Sequence, residues 1–385
     1  MSRNLLMPGD PAPWFRAPSN VNPDFDFASV AGRTIVLSFV GPVGATASGA
    51  SPGQALYDAF VAEAALFTNP DRYFFAVTLG RREAHAQTSL AEFRPGMDTF
   101  WDDGRLSRLY GALPEDEASA DFAPVSYLLG LDLRVLAVAR HPDPAQQARA
   151  ILDTVRRVPP LGEPRSGGVQ APVLILPDIF EPALCRRLIE GYEADGGTES
   201  GFMRERDGKT VLIVDHNHKR RSDWTIEDEP LRETLRQRVL RRIVPEVQRA
   251  FQFKVTRMER YIVACYDAAI GGHFQPHRDN TTKGTAHRRF AVTINLNTEE
   301  YEGGALMFPE YGRAIHRPPT GGAVVFSCGL LHQALPVTSG KRYAFLPFLY
   351  DDAAAKIREA NNAFLGENVA TYRTEAQSGG KPKRS

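Results

Sequence analysis

Cysteine is scarce in this 385-residue sequence: only Cys185, Cys265 and Cys328, far apart and odd in number. With no Cys-x-x-Cys pair among them, a disulfide framework and a thiolate metal site are both disfavoured, and a reducing, cytoplasmic setting is expected. No long uncharged apolar run is present, which argues against a membrane span. Neither charge is in excess, since 46 Lys and Arg balance 46 Asp and Glu. Nothing global therefore draws the surface to nucleic acid or anionic lipid. Met1 to Gly9 carries one basic residue and a short apolar stretch before Pro8, without the sustained apolar region of a secretory signal. What remains is a globular composition, 43% hydrophobic and 24% charged, long enough for two or three domains.

The first 158 residues alternate strand-like and helix-like patterns. Thr34–Val40, Tyr73–Leu79, Val125–Leu129 and Val135–Ala139 read as strands, and Gln54–Phe67 and Ala145–Val155 as helices. Such alternation predicts an α/β layer domain over 1–158. Residues 159–170, with Pro159, Pro160 and Pro164 among glycines, read as a linker. A second domain is expected over 171–352. Its first part carries two helical stripes: Leu184, Leu188, Ile189 and Tyr192 behind Pro182, then Leu231, Leu235, Val239, Ile243 and Val247. Pro245 should kink or split the second of these. From Val255 to Tyr350 short β-rich runs between Gly and Pro turns suggest a barrel or sandwich. Residues 353–385 read as a terminal helix and a frayed basic tail from Ser378. The fold class is thus α+β with two domains.

The most informative residues are His277 and Asp279, because positions two apart on an extended segment face one side and can share an ion. His332, after the strand-like Ala323–Phe326, supplies a third ligand. Two imidazoles and one carboxylate make the facial triad of non-haem Fe(II) oxygenases, which leaves one face of an octahedron open. Arg342, ten residues after His332 and past a turn at Pro336 and Gly340, can enter the same cavity and hold a carboxylate bidentately. A zinc hydrolase could use the same ligand types, but no general base is evident and Arg342 would have no role.

Tyr261-Ile262-Val263-Ala264-Cys265-Tyr266, His277-Arg278-Asp279-Asn280, Asn295-Leu296-Asn297, Glu302-Gly303-Gly304-Ala305-Leu306, His332 and Arg342-Tyr343 together resemble Fe(II)/2-oxoglutarate dioxygenases of the prolyl-4-hydroxylase type, particularly the oxygen-sensing branch. The resemblance implies a double-stranded β-helix with supporting helices, with His277, Asp279 and His332 on Fe(II). It further implies Arg342 on the far carboxylate of 2-oxoglutarate and Tyr266 hydrogen-bonded to that co-substrate. Asn295 stands where that branch has a second co-substrate tyrosine. The implied activity is hydroxylation of an unactivated C–H bond with release of succinate and CO2. O2 is then the second co-substrate, ascorbate the reductant, and the substrate a peptide, protein or small molecule. The rival reading is a non-catalytic metal-binding or scaffold protein.

Gly9-Asp10-Pro11-Ala12-Pro13, the strand at Ile35–Val40 and Phe100-Trp101-Asp102-Asp103-Gly104 resemble a peroxiredoxin-type thioredoxin fold. Such proteins carry a Pro-x-x-x-Thr-x-x-Cys loop whose thiolate attacks peroxide. Here Pro42 and Thr46 are kept, but Gly49 takes the cysteine position and no cysteine precedes Cys185. The domain is expected to lack peroxidase activity and to serve as a scaffold, a substrate-docking module or a homodimerisation surface.

Other polar clusters read more plainly. His273, His287 and His316 lie near turns as exposed or packing residues, with His273 the one plausible substitute ligand. His216 and His218 read as loop residues near a substrate entrance. Lys219-Arg220-Arg221 and the arginines at 232, 236, 241 and 242 interleave with acids, which predicts a solvated mixed-charge face rather than a nucleic-acid site. Phe348, where the nucleic-acid demethylases carry a second arginine, agrees with that.

Overall fold

The computed structural model describes residues 3–43, 45–46, 49–80, 89–163, 167–367 and 369–373. The basic tail from Ser378 lies outside the described residues, as do Gly44, Ala47 and Ser48 of the Pro42–Gly49 loop and 164–166 of the linker. The chain divides into two compact units, Met1–Arg165 and Ser166–Ser385.

The first unit is built on a five-stranded mixed sheet. Thr34–Phe39 is its centre, parallel to Arg72–Leu79 and antiparallel to Val125–Leu129, with Met97–Asp102 and Val135–Ala139 at the edges. Alternate residues of a strand face opposite sides. Ile35, Leu37 and Phe39 accordingly join one apolar cluster with Phe15, Phe27, Phe75 and Phe100. Val36 joins another, formed with Phe74, Phe60, Ile151 and Val155. Helices Pro52–Val61 and Pro144–Arg157 cover this second face. Each has proline in its first turn, behind a Ser51 or Asp143 side chain that accepts a backbone N–H, so the exposed donors of the turn are satisfied. The expected helix over 54–67 ends at Val61, and Ala64–Phe67 is instead a 3-10 turn that seats Phe67 against Phe74 at 5.7 Å between ring centroids.

The second unit has two antiparallel sheets. The larger runs Leu174–Leu176, Ala323–Ser327, Phe290–Asn295, Lys341–Phe345, Ile262–Asp267, Ser222–Thr225, Thr198–Glu199, with Arg257–Glu259 and Phe348–Tyr350 joined at its side. The smaller runs Lys219–Arg220, His273–His277, His332–Ala334, Leu306–Met307, Ile315–His316. Period-two alternation again assigns the faces. Val263, Cys265, Val292, Ile294, Val325, Tyr343 and Phe345 meet the helices. Ala264, Tyr266, Ala291, Val324 and Phe326 turn inward to Phe274, Leu306 and Ala334 of the smaller sheet. This is the double-stranded β-helix with supporting helices.

The helices are Pro182–Asp195, Glu229–Arg242 and Val244–Phe251. Pro245 splits the long stripe: the first helix ends at Arg242, Ile243 caps it, and the proline sits in the first turn of the next, where a backbone N–H would have no intrahelical acceptor. All five stripe residues are buried on both sides of the break. The three cysteines are buried as well. No helix among the described residues is long and apolar enough to cross a membrane.

Candidate active site

His277 ends one strand of the smaller sheet and His332 begins its neighbour, and the antiparallel register sets them directly opposite. Their ring centroids are 4.3 Å apart. Asp279 follows just past the strand end, held by its N–H donating to the Cys328 carbonyl at 3.0 Å. Its carboxylate oxygens lie 3.7 Å from His277 Nε2 and 3.4 Å from His332 Nε2. Each imidazole Nδ1 rests on the carbonyl two residues earlier, Gln275 at 2.7 Å and Leu330 at 3.0 Å. A carbonyl only accepts, so Nδ1 carries the proton and Nε2 keeps its lone pair for a metal.

Burial lowers the His277 pKa to about 3, and the adjacent His332 adds to the effect against the pull of Asp279. Burial raises that of Asp279, but His332, His277, Arg288 and Arg260 outweigh it and keep the carboxyl below its ordinary range. Two imidazole Nε2 atoms and a carboxylate, all within 4.8 Å of one another, suit a divalent transition metal such as Fe(II).

The triad opens into a cavity of about 950 Å³, lined also by Tyr266 and Arg342. Strand pairing sets these two opposite each other on the larger sheet, and Arg342 takes the inward phase that Tyr343 and Phe345 do not. Its side chain is 2% exposed. Its Nη2 donates to Asn295 Oδ1 at 3.4 Å, while Nε and Nη1 have no partner. A buried guanidinium with two unpartnered nitrogens is costly, and this one lines the space where an anion would satisfy it. Asn295 stands behind it, outside the cavity lining, with its amide nitrogen committed to the Pro318 carbonyl at 3.1 Å.

The decisive observation is that a sequence model of one family, described as the 2OG-Fe(II) oxygenase superfamily, matches residues 261–350, which span the triad and Arg342. Those residues form a 2OG-Fe(II) oxygenase domain. No curated protein matches the chain. Among solved structures the oxygenase domain is similar to a Trichoplax adhaerens prolyl hydroxylase in complex with a hypoxia inducible factor peptide. That match has 16% identity and a TM-score of 0.37, covering 48% of this chain and 85% of that one. A viral collagen prolyl hydroxylase from Paramecium bursaria Chlorella virus-1 matches at 15% identity and 0.34, covering 46% and 94%. A Pseudomonas putida prolyl-4-hydroxylase matches at 15% and 0.34, covering 47% and 92%. At these values the likeness decides nothing about substrate.

Of the other histidines described in the second unit, His218 and His287 line the same cavity, and His218 is the one in ring contact with the triad. It lines the cavity between Phe202 and Phe274, its ring 6.5 Å from that of His277. His273 is no substitute ligand, because both its nitrogens rest on backbone carbonyls, of Gly271 and Asn217. His216 is exposed and pairs with Glu199, His287 is buried against Glu259 at 3.1 Å, and His316 packs on Phe308.

One expectation is overturned. Lys219 and Arg221 are each only 5% exposed and belong to the cavity wall of the oxygenase domain, not to a solvated face. The segment is extended, so period two sends positions 219 and 221 inward and leaves Arg220 outside. Lys219 Nζ donates to Ser200 Oγ at 2.7 Å and the Gly201 carbonyl at 2.6 Å, and Arg221 grips Asp223 through two 2.7 Å bonds. Arg242 is buried too, on Glu181 and the Ile179 carbonyl. Arg232, Arg236 and Arg241 fit the surface description. The signal for the buried pair was the Lys-x-Arg-x-Asp alternation itself.

Proposed function

We propose that the oxygenase domain hydroxylates an unactivated C–H bond in the manner of the prolyl hydroxylases, converting 2-oxoglutarate to succinate and CO2. The observation that carries this reading is the buried Arg342 guanidinium, with two nitrogens unpartnered, in the same cavity as a complete His-Asp-His set. His277 and His332 would hold Fe(II) through Nε2, with Asp279 offsetting one of its charges. Arg342 would take the far carboxylate of 2-oxoglutarate by parallel hydrogen bonds. The Tyr266 hydroxyl already accepts from Arg221 Nη1 at 3.3 Å, which leaves its own proton to donate to the same co-substrate. Asn295 acts from behind by orienting Arg342. When bound, iron with 2-oxoglutarate and O2 supplies the oxidising power, with ascorbate as its reductant. The chain's own residues supply position, charge and a dry wall of Phe274, Leu306 and Phe326.

For the first unit we infer a thioredoxin-like fold without peroxidase chemistry. The mixed sheet with Pro52–Val61 and Pro144–Arg157 on one face and the short helix Arg105–Leu109 on the other supports the fold, and the absence of any cysteine before Cys185 supports the missing activity.

Succinate release with Fe(II), 2-oxoglutarate and O2 tests the oxygenase reading. The parent should release it, and Asp279→Ala and Arg342→Ala should abolish it. An Arg342→Ala protein that binds 2-oxoglutarate as tightly as the parent would overturn the assignment of Arg342.

A further inference from the structure

Beyond Arg342, the cavity wall holds more positive charge than it neutralises. Asp223 is shared by Arg221 and Arg260, and Glu259 by Arg288 and Arg358. Asp279, which Arg288 and Arg260 also attract, belongs to the metal-ligand set, so apart from that ligand two carboxylates answer these four guanidiniums. The sharing is unequal. Asp223 accepts two 2.7 Å bonds from Arg221 and one of 2.6 Å from Ser200 Oγ, and Arg260 reaches it only at 3.4 Å through Nη2.

Arg260 and Arg288 both lie over the Phe348 ring, at 5.3 Å and 4.1 Å from its centroid. Arg288 also comes within 3.5 Å of the Asp279 carbonyl, which sets this basic corner beside the triad. The backbone supports the placement: Arg260 has φ of 65°, a left-handed conformation that a long side chain adopts only where its surroundings impose it.

We propose that Arg260, assisted by Arg288, forms a second carboxylate-binding position in the cavity, separate from Arg342, and that it receives a carboxylate of the primary substrate. The inference rests on the oxygenase reading and adds the substrate class. Planar guanidiniums over one aromatic face bind a planar carboxylate bidentately. That carboxylate comes from a free acid or from an acidic side chain beside the reacting residue of a peptide.

The test is calorimetric, on the full chain loaded with Mn(II) under nitrogen and saturated with 2-oxoglutarate so that Arg342 is occupied. The probes are N-acetyl-L-proline, its neutral amide, and a short blocked peptide containing Asp-Pro. The parent should bind the free acid or the Asp-Pro peptide at least tenfold more tightly than the amide, and whichever acid binds names the source. Arg260→Gln should erase that preference, Arg260→Lys should keep part of it, and the affinity of both for 2-oxoglutarate should stay within twofold of the parent.

Equal binding of acids and amide by the parent would overturn the proposal. So would an unchanged preference in Arg260→Gln, or in Arg260→Lys should the glutamine variant fail to fold. A large loss of 2-oxoglutarate affinity in either variant would also overturn it, by assigning Arg260 to the co-substrate. A parent that binds no 2-oxoglutarate would instead sink the oxygenase reading, and repeating the probe titrations without it would still read Arg260 separately.

Discussion

At the scale of single residues, the site depends on keeping charge where ligands need it. Replacing Arg342 by alanine should weaken 2-oxoglutarate binding by about 2–5 kcal/mol, roughly thirtyfold or more in Kd, because a co-substrate carboxylate would be left without its partner. Equilibrium titration under nitrogen measures this. His277 gives a pH signature. Its pKa is about 3 in the folded chain against roughly 6.5 unfolded, so as pH falls through that interval the unfolded state takes up the proton that the folded state refuses. Metal-free protein should lose stability from about pH 6.5 toward pH 3, with a slope approaching about 1.4 kcal/mol per pH unit from this group. Comparing denaturation midpoints of the parent and His277→Gln across pH 4.5–7 checks it: the variant's curve should be flatter. The triad and Arg342 were legible because their chemistry is written in residue type and spacing. The partners of Arg260 were not, because Asp223 and Phe348 lie 37 and 88 positions away and only folding brings them to it.

At the scale of elements, turns decide whether strands deliver their side chains. Gly303 has φ of 74°, and a Cβ there would come 2.3 Å from the Pro336 carbonyl oxygen, while one on Gly304 would press on Val337 and the Arg342 Cδ. Gly303→Ala should therefore cost about 1–3 kcal/mol of stability, seen as a lower thermal midpoint. The helix break at Pro245 was readable because proline acts locally. Lys219 and Arg221 were misplaced because charge composition was weighed above the two-residue alternation of an extended segment, and alternation wins when one face of the sheet is buried. The end of the helix at Val61 left no comparable local mark.

At the scale of the whole molecule, each unit has a core of its own, one around Phe75 and Phe74, the other around Val263 and Phe326. Two calorimetric transitions are expected. Mn(II) should raise only the one belonging to the second unit, since a ligand that binds the folded state stabilises the unit holding its site. A chelator should reverse the shift. Residues 1–158 alone should consume no peroxide above buffer background, because Gly49 offers no nucleophile where a thiolate would be needed. Composition and alternation made both layer architectures visible in the sequence. The linker is readable from its prolines and glycines.

The three buried cysteines have a practical consequence. Burial raises the thiol pKa of Cys185 to about 12, that of Cys265 to about 11 and that of Cys328 well above its ordinary value. All three stay protonated and out of reach of alkylating reagents near neutral pH. A single cysteine introduced on the surface would thus be the sole attachment point for a maleimide dye in the native protein. Distances could then be followed by fluorescence without first stripping the chain of its own thiols.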